Sequence, residues 1–322
     1  MRLSILLFIL IEITLGFKLT RRTLINGYIA NLIRTKPNVL IISYDKIGNG
    51  IISNLNPSRI TITTTKPNKI DNLRKIADEV VLIPQIKIDV DNEFNDVVFN
   101  NEIIIMSDTI SIFSVHTFYR TCERLREALL LKSLKYPKRK TKIILISSVN
   151  VYGGHTDGAI VNENSWIFTK TIDNNKDWRI NDYMNAVIIR NGEKLLLSLN
   201  NNNCKIIVFR AGAIWNNEIE RKNIEFIGMR GKYSNEIGNS WISLSKTDDI
   251  GKKINKALNE NWEGIYNIAG RSYMRRDFYK KLVDINWDNE NYDNEGYSYG
   301  IEYNRHLPNA MRYNMRIKSN RF

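Results

Sequence analysis

The chain has 322 residues, 43% of them hydrophobic and 25% charged, and a formal net charge of +13. That length gives one large or two small domains with material for a substantial core, and the proportions exclude a disordered or collagenous chain. Two cysteines, Cys122 and Cys204, and three histidines, His116, His155 and His306, share no ligand spacing, which argues against a disulfide framework and against a metal enzyme.

The first segment, "MRLSILLFILIEITLGF", has Arg2, an apolar run from Leu3 to Ile13, and the small residues Thr14 and Gly16. This is the pattern of a secretory signal, residues 1–16, cleaved after Gly16. The run is short for a bilayer and contains Glu12, so no membrane span is expected in the mature chain. Residues 17–36 form a basic leader, and no acid follows Glu12 until Asp45. Six basic residues against Glu12 give the first 36 residues +5, which leaves +8 for the body. A signal followed by a basic stretch resembles the two-part leader of proteins carried through the secretory route into a complex, apicoplast-type plastid. The plainer alternative is an ER or secreted protein. The moderately basic body admits RNA, an anionic cofactor, or no charged partner at all.

From Asn38 onward the chain alternates strand-like and helix-like pieces. "NVLIIS" (38–43) reads as a strand and "GNGIISNL" (48–55) as a short helix. "RITITTT" (59–65) is a β-branched second strand, "KIDNLRKIA" (69–77) a helix, and "EVVLIP" (79–84) a third strand. "NEIIIMS" (101–107) is a fourth strand, and residues 118–134 form a long helix with apolar and small residues on one face. The basic run "KYPKRKTK" (135–142) reads as a solvated loop, or else as an RNA contact, before a fifth strand, "KIILISS" (142–148). A helix over 185–199 and a sixth strand over 205–212 follow. The stretch 284–304, with six acids and no base, breaks the pattern and reads as a surface insertion or a contact for a basic partner. Strands that are apolar throughout are buried on both faces, and their alternation with helices predicts an α/β protein with a doubly wound parallel sheet.

Such sheets bind ligands at the carboxyl ends of their strands, so those ends carry the candidate site. After the first strand comes "SYDKIG" (Ser43, Asp45, Lys46, Ile47, Gly48), spaced as a dinucleotide turn but with Ser43 and Asp45 where glycine is wanted. A carboxylate about 4 Å from a phosphate costs roughly 4 kcal/mol at an effective dielectric near 20. After the second strand stand Thr65 and Lys66, where an NAD site would carry an acid. A hydroxyl and a cation suit a 2′-phosphate, so the preference leans to NADP; a solvated turn lysine is the alternative.

"IILISSVNVYGG" (143–154) resembles the "SSxxVYG" signature of the extended short-chain dehydrogenase/reductase superfamily, the NAD-dependent epimerase/dehydratase group. "VNENS" (161–165), "VFRAG" (208–212), "WISLSKTDDIGKKI" (241–254) and "GIYNIAG" (264–270) resemble later motifs of that family in the same order, and its compact YeeZ-like branch is nearest. The resemblance spans residues 37 to about 317. It implies one Rossmann-type NAD(P)-binding domain over 37–322, with a small C-terminal substrate lobe drawn from about 213–240 and 270–322. It also implies that Ser148 is the catalytic hydroxyl and that Ser107 and Ser147 line the cofactor crevice. Ala211 to Ile214, with Ala213 among them, would approach the nicotinamide, and Tyr152 would pack or contact substrate. A homodimer is also implied.

The family's catalytic Tyr and Lys stand four residues apart, and the 185–199 helix supplies no such pair. Lys194 has Arg190 four residues before it, and Tyr183 has Val187 four residues after it. Arg190 cannot act as a base, because its pKa lies far above working pH. Two readings follow. One is a divergent NAD(P)-binding epimerase, dehydratase or reductase, with Lys194 or Arg190 as a cation near ribose or a nucleotide-linked or small polar substrate. The other is a catalytically silent module that binds RNA or a protein partner in a plastid.

Overall fold

The computed structural model describes residues 36–44, 47–83, 92–107, 115–152, 158–165, 177–215, 241–274, 277, 315–319 and 321. The signal, nearly all of the basic leader, Asp45, Lys46 and the acidic stretch 284–304 lie outside them. Pro37–Phe322 forms a unit of its own and is described by itself.

Its centre is a seven-stranded sheet. The strands are β1 (Asn38–Ile42), β2 (Arg59–Thr64), β3 (Glu79–Leu82), β4 (Ile103–Met106), β5 (Thr141–Ser148), β7 (Cys204–Ala211) and β10 (Gly264–Asn267). They run in the order β10-β7-β5-β4-β1-β2-β3, and every neighbouring pair is parallel. The chain winds outward from β1 to β3, then returns to lay β4 on the other side of β1. Strand order therefore reverses between β1 and β4, and the crevice beyond their carboxyl ends is where this architecture receives ligands.

The apolar strands are covered on both faces, as their composition predicts. On β5, Ile143 and Leu145 pack in one core with Phe118, Cys122 and Leu125 of helix α4 (Val115–Lys135). Ile144 and Ile146 pack in the other with Ile47 and Ile51 beside helix α1 (Gly48–Ile52), and with Ile250 and Ile254 of helix α6 (Thr247–Asn259). Fully burying each such side chain stabilises the fold by about 1.5–3 kcal/mol before entropy is counted.

Several boundaries differ from the periodicity. Helix α5 spans Asp177–Leu197, eight residues earlier at its start than expected; Asp177, Arg179, Asn181 and Asp182 interrupt the apolar run there, although Ile180, Tyr183 and Met184 keep a helical spacing. It ends at an Asn-rich turn in which the Asn201 side chain accepts from the Asn203 and Cys204 backbone N–H groups, at 2.8 and 3.0 Å. In place of one helix over 69–77 stand a 3-10 turn, Pro67–Lys69, and the short helix α2, Ile70–Leu73. Helix α3 (Asn92–Asn100) was not expected; its weak helix formers hide the buried spacing of Phe94, Val97 and Val98. No helix of the described residues is long and apolar enough to cross a membrane.

Two small sheets complete the unit. Strand β9 (Trp241–Lys246) pairs parallel with β8 (Ala213–Trp215) and antiparallel with β11 (Ser272–Met274). Strand β6 (Ala159–Val161) pairs parallel with β12 (Met315–Ile317), and the Ile317 N–H donates to the Ser243 hydroxyl at 3.0 Å, which joins the two.

Candidate active site

At the first strand end, Ser43 adopts φ 60°, the left-handed conformation that favours glycine. The turn therefore keeps the backbone of a glycine at a position that has lost it. Ser43 is held from both sides: its carbonyl accepts from the Ser107 hydroxyl at 2.9 Å, and its N–H donates to Thr63 at 3.4 Å. Ser107 thus ties β4 to the turn across the crevice. Tyr44 lies over the next turn. A Cβ on Gly48 would meet the Tyr44 ring at 2.2 Å, and the Tyr44 hydroxyl donates to the Asn49 side chain. The atoms that Gly48 admits all belong to Tyr44. Close helix packing falls instead to Gly50, whose Cβ would sit 2.5 Å from the Thr247 carbonyl, and to Gly251 against the Gly50 carbonyl. Helices α1 and α6 therefore touch backbone to backbone. Thr65 and Lys66 are exposed at the end of β2.

Beyond β5 and β7 lies a buried polar network. Arg210 on β7 forms a two-pronged ion pair with Glu193 of α5, Nε to Oε1 at 3.1 Å and Nη2 to Oε2 at 2.6 Å, with both side chains at most 3% exposed. Burial works to lower the Arg210 pKa, but the charge and hydrogen bonds of Glu193 outweigh it and hold the pKa above the usual arginine value. The third guanidinium nitrogen donates to the Tyr152 hydroxyl at 3.1 Å and to the Glu163 carbonyl at 3.3 Å. Tyr152 in turn donates to Asn267 Oδ1 at 2.6 Å. The Asn267 N–H and the Ser319 hydroxyl both donate to the Glu163 carboxylate, at 2.9 and 2.6 Å. Segments far apart in the chain, "VNENS", "VFRAG" and "YNIAG", thus meet through one residue each.

The network also fixes where three expected site residues lie. Ser147 does not face the crevice: its hydroxyl donates to Glu193 at 2.6 Å and is buried. Tyr152 is fully buried and holds the network together with its hydroxyl engaged twice, and burial raises its pKa. Lys194 is exposed beside buried Glu193 and stands off the inward face of α5. That face presents Ala186, Ile189, Glu193 and Leu196, with no lysine or tyrosine among its described side chains. Glu193 was the missed residue. A charged residue on the 186–189–193–196 apolar stripe has to be paired, and that was the available signal.

Ser148 closes β5 at the crevice, and its Oγ accepts from the Asn150 N–H at 3.2 Å, so its own proton donates to no group among the described residues. Ala213 is buried at the start of β8, next to Gly212, whose N–H donates to Ser245 at 2.8 Å. Arg190, one turn before Lys194 on α5, is half-buried and donates through Nη2 to the Ser165 carbonyl at 2.5 Å. Burial, then the charge of Arg210, lowers its pKa. Two cavities, about 70 Å³ beside Lys132 and Cys204 and about 400 Å³ beside Asn38, Thr61 and Asn101, lie at the amino ends of the strands, away from this chemistry.

Neither a protein-family model nor a curated protein matches the sequence. Solved structures do. The fold is similar to that of dTDP-glucose 4,6-dehydratase from Bacillus anthracis in complex with NAD, with a TM-score of 0.56, 14% identity, and 88% of this chain and 85% of that one covered. It is similar to WbmG of Bordetella bronchiseptica in complex with NAD, with a TM-score of 0.57, 11% identity, and coverage of 78% and 79%. It is also similar to a UDP-N-acetylglucosamine 4-epimerase from Methanobrevibacter ruminantium in complex with UDP-N-acetylmuramic acid, with a TM-score of 0.56, 16% identity, and coverage of 79% and 84%. The chain therefore shares the Rossmann-like fold of these structures, as its strand–helix alternation implied.

Proposed function

From the premise of that fold, we propose that the protein binds a nicotinamide dinucleotide across the β1–β4 crevice and acts on a nucleotide-linked sugar. The reading rests chiefly on one observation: Ser148 stands at the carboxyl end of β5 with its proton given to no group among the described residues, beside a strand-order reversal of the kind that receives such a cofactor. The residues fit the cofactor in part. Ser107 and the left-handed Ser43 keep the turn's backbone, Ala213 stands at the nicotinamide end, and exposed Thr65 and Lys66 suit the 2′-phosphate of NADP. Tyr44 lies where the diphosphate would approach Gly48, so binding displaces its ring.

A bound dinucleotide supplies a hydride acceptor or donor. Ser148 would then donate its hydrogen bond to the reacting oxygen and hold it in place. The described side chains on the inward face of α5 include no tyrosine–lysine pair, so turnover by the family's usual acid–base route is expected to be slow. We also propose that the leader directs the protein through the secretory route to a plastid, which a reporter fused to residues 1–36 tests; a uniformly cytoplasmic signal would refute it.

The cofactor test is a tryptophan-fluorescence titration of the purified protein with NADH and NADPH. Saturable binding is expected, tighter for NADPH, and strengthened by about tenfold in Tyr44→Ala. No saturation with either cofactor in the millimolar range overturns the reading.

A further inference from the structure

Two arginines flank the same end of α5, and they differ in one respect. Arg210 spends its whole fork on Glu193, Tyr152 and Glu163. Arg190 spends only Nη2, on Ser165, and its Nε is buried without a hydrogen-bond partner among the described residues. On the facing 3-10 turn, Val149–Tyr152, a second group is unpaired: Asn150 is 1% exposed, and neither its Oδ1 nor its Nδ2 has a hydrogen-bond partner among the described residues. Helix α5 packs on that turn, and Asn150 lies two residues after Ser148 and two before Tyr152, whose field reaches Arg190.

Buried polar groups are almost always paired, and leaving one unpaired costs about 1–3 kcal/mol. One cost of this kind is ordinary. Two on contacting elements beside the reacting hydroxyl are the mark of a recognition site completed by its ligand.

We propose that Arg190 and Asn150 recognise a carboxylate on the sugar of the substrate, so that the substrate class is an acidic, uronate-type nucleotide sugar. The Nε–H of Arg190 and the Nδ2 of Asn150 donate to the carboxylate oxygens, and Asn150 Oδ1 accepts from a neighbouring hydroxyl. A planar monoanion matches one guanidinium edge and one amide. A phosphate dianion would call for further cations, and Arg210 is already saturated by Glu193. The inference rests on the nucleotide-sugar reading above.

The test compares UDP-glucuronic acid with UDP-glucose by calorimetry on the full protein with NADH present. The acid is expected to bind about tenfold or more tightly than the neutral sugar. In Arg190→Met the two affinities converge, and in Arg190→Lys, which keeps charge but loses the fork, the preference shrinks without vanishing. Asn150→Leu weakens both ligands and raises the melting temperature of the ligand-free protein, since it removes an unpaired buried amide. Equal binding by the wild type overturns this inference and leaves the nucleotide-sugar reading standing; no binding of either sugar overturns both. A preference that survives Arg190→Met also overturns it. If Asn150→Leu stabilises the protein and leaves both affinities unchanged, the amide merely holds a buried water, and the inference falls.

Discussion

The two halves of the crevice have been treated differently. On the β5–β7–β10 side, Glu193, Arg210, Tyr152, Asn267 and Glu163 form a network in which each partner satisfies another. On the β1–β2 side, a serine sits in a glycine's conformation and a tyrosine ring lies where a diphosphate would approach. The physical costs explain the contrast. Removing one member of a buried ion pair strands a charge, so the network cannot drift one residue at a time. A phosphate turn is tested only by its ligand, and Ser43 costs the folded chain only about 1–2 kcal/mol. On the proposed reading, the looser half is the one that would grip a cofactor, and the tighter half is the fold beside it.

The contrast can be broken most sharply at Glu193. Glu193→Ala leaves Arg210 buried and unpaired and is expected to cost about 3–5 kcal/mol in urea unfolding. The double variant Glu193→Leu with Arg210→Met should recover most of that loss, because apolar groups of similar size remove both desolvation costs. A double variant as unstable as the single one would mean the network does more than pair charge.

A smaller effect tests whether α1 itself has loosened along with its turn. A Cβ on Gly251 would sit 1.9 Å from the Gly50 carbonyl, so Gly251→Ala has to push α6 off α1. A loss of about 1–3 kcal/mol in thermal unfolding is expected. A neutral result would show that the helix already has room to move, and the tight half of the comparison would shrink.

The smallest effect is expected at the turn. Ser43→Gly relieves the left-handed strain of about 1–2 kcal/mol but frees the unfolded chain by about 0.4–1 kcal/mol, so stability should rise by no more than about 1.6 kcal/mol. Its readout is tighter dinucleotide binding, and a large gain in stability without one would place the strain in the fold instead of the site.

The sequence by itself determined the sheet. Runs such as Ile143–Ile146 and Ile206–Phe209 are apolar on both faces, and only a sheet covered twice can bury them. It also determined the gap on α5, because no four-residue spacing there joins a tyrosine to a lysine. Its local signals misplaced what depends on direction. Ser147 and Ser148 are neighbours in sequence, yet a strand turns them to opposite faces, one toward Glu193 and one toward the crevice. Lys194 stood out as a cation, while Glu193 beside it was the residue turned inward. Only the tertiary structure could decide those assignments. A strand or helix fixes which face a residue shares, but the partner that satisfies a buried charge comes from elsewhere in the chain, as Arg210 and Asn267 do here.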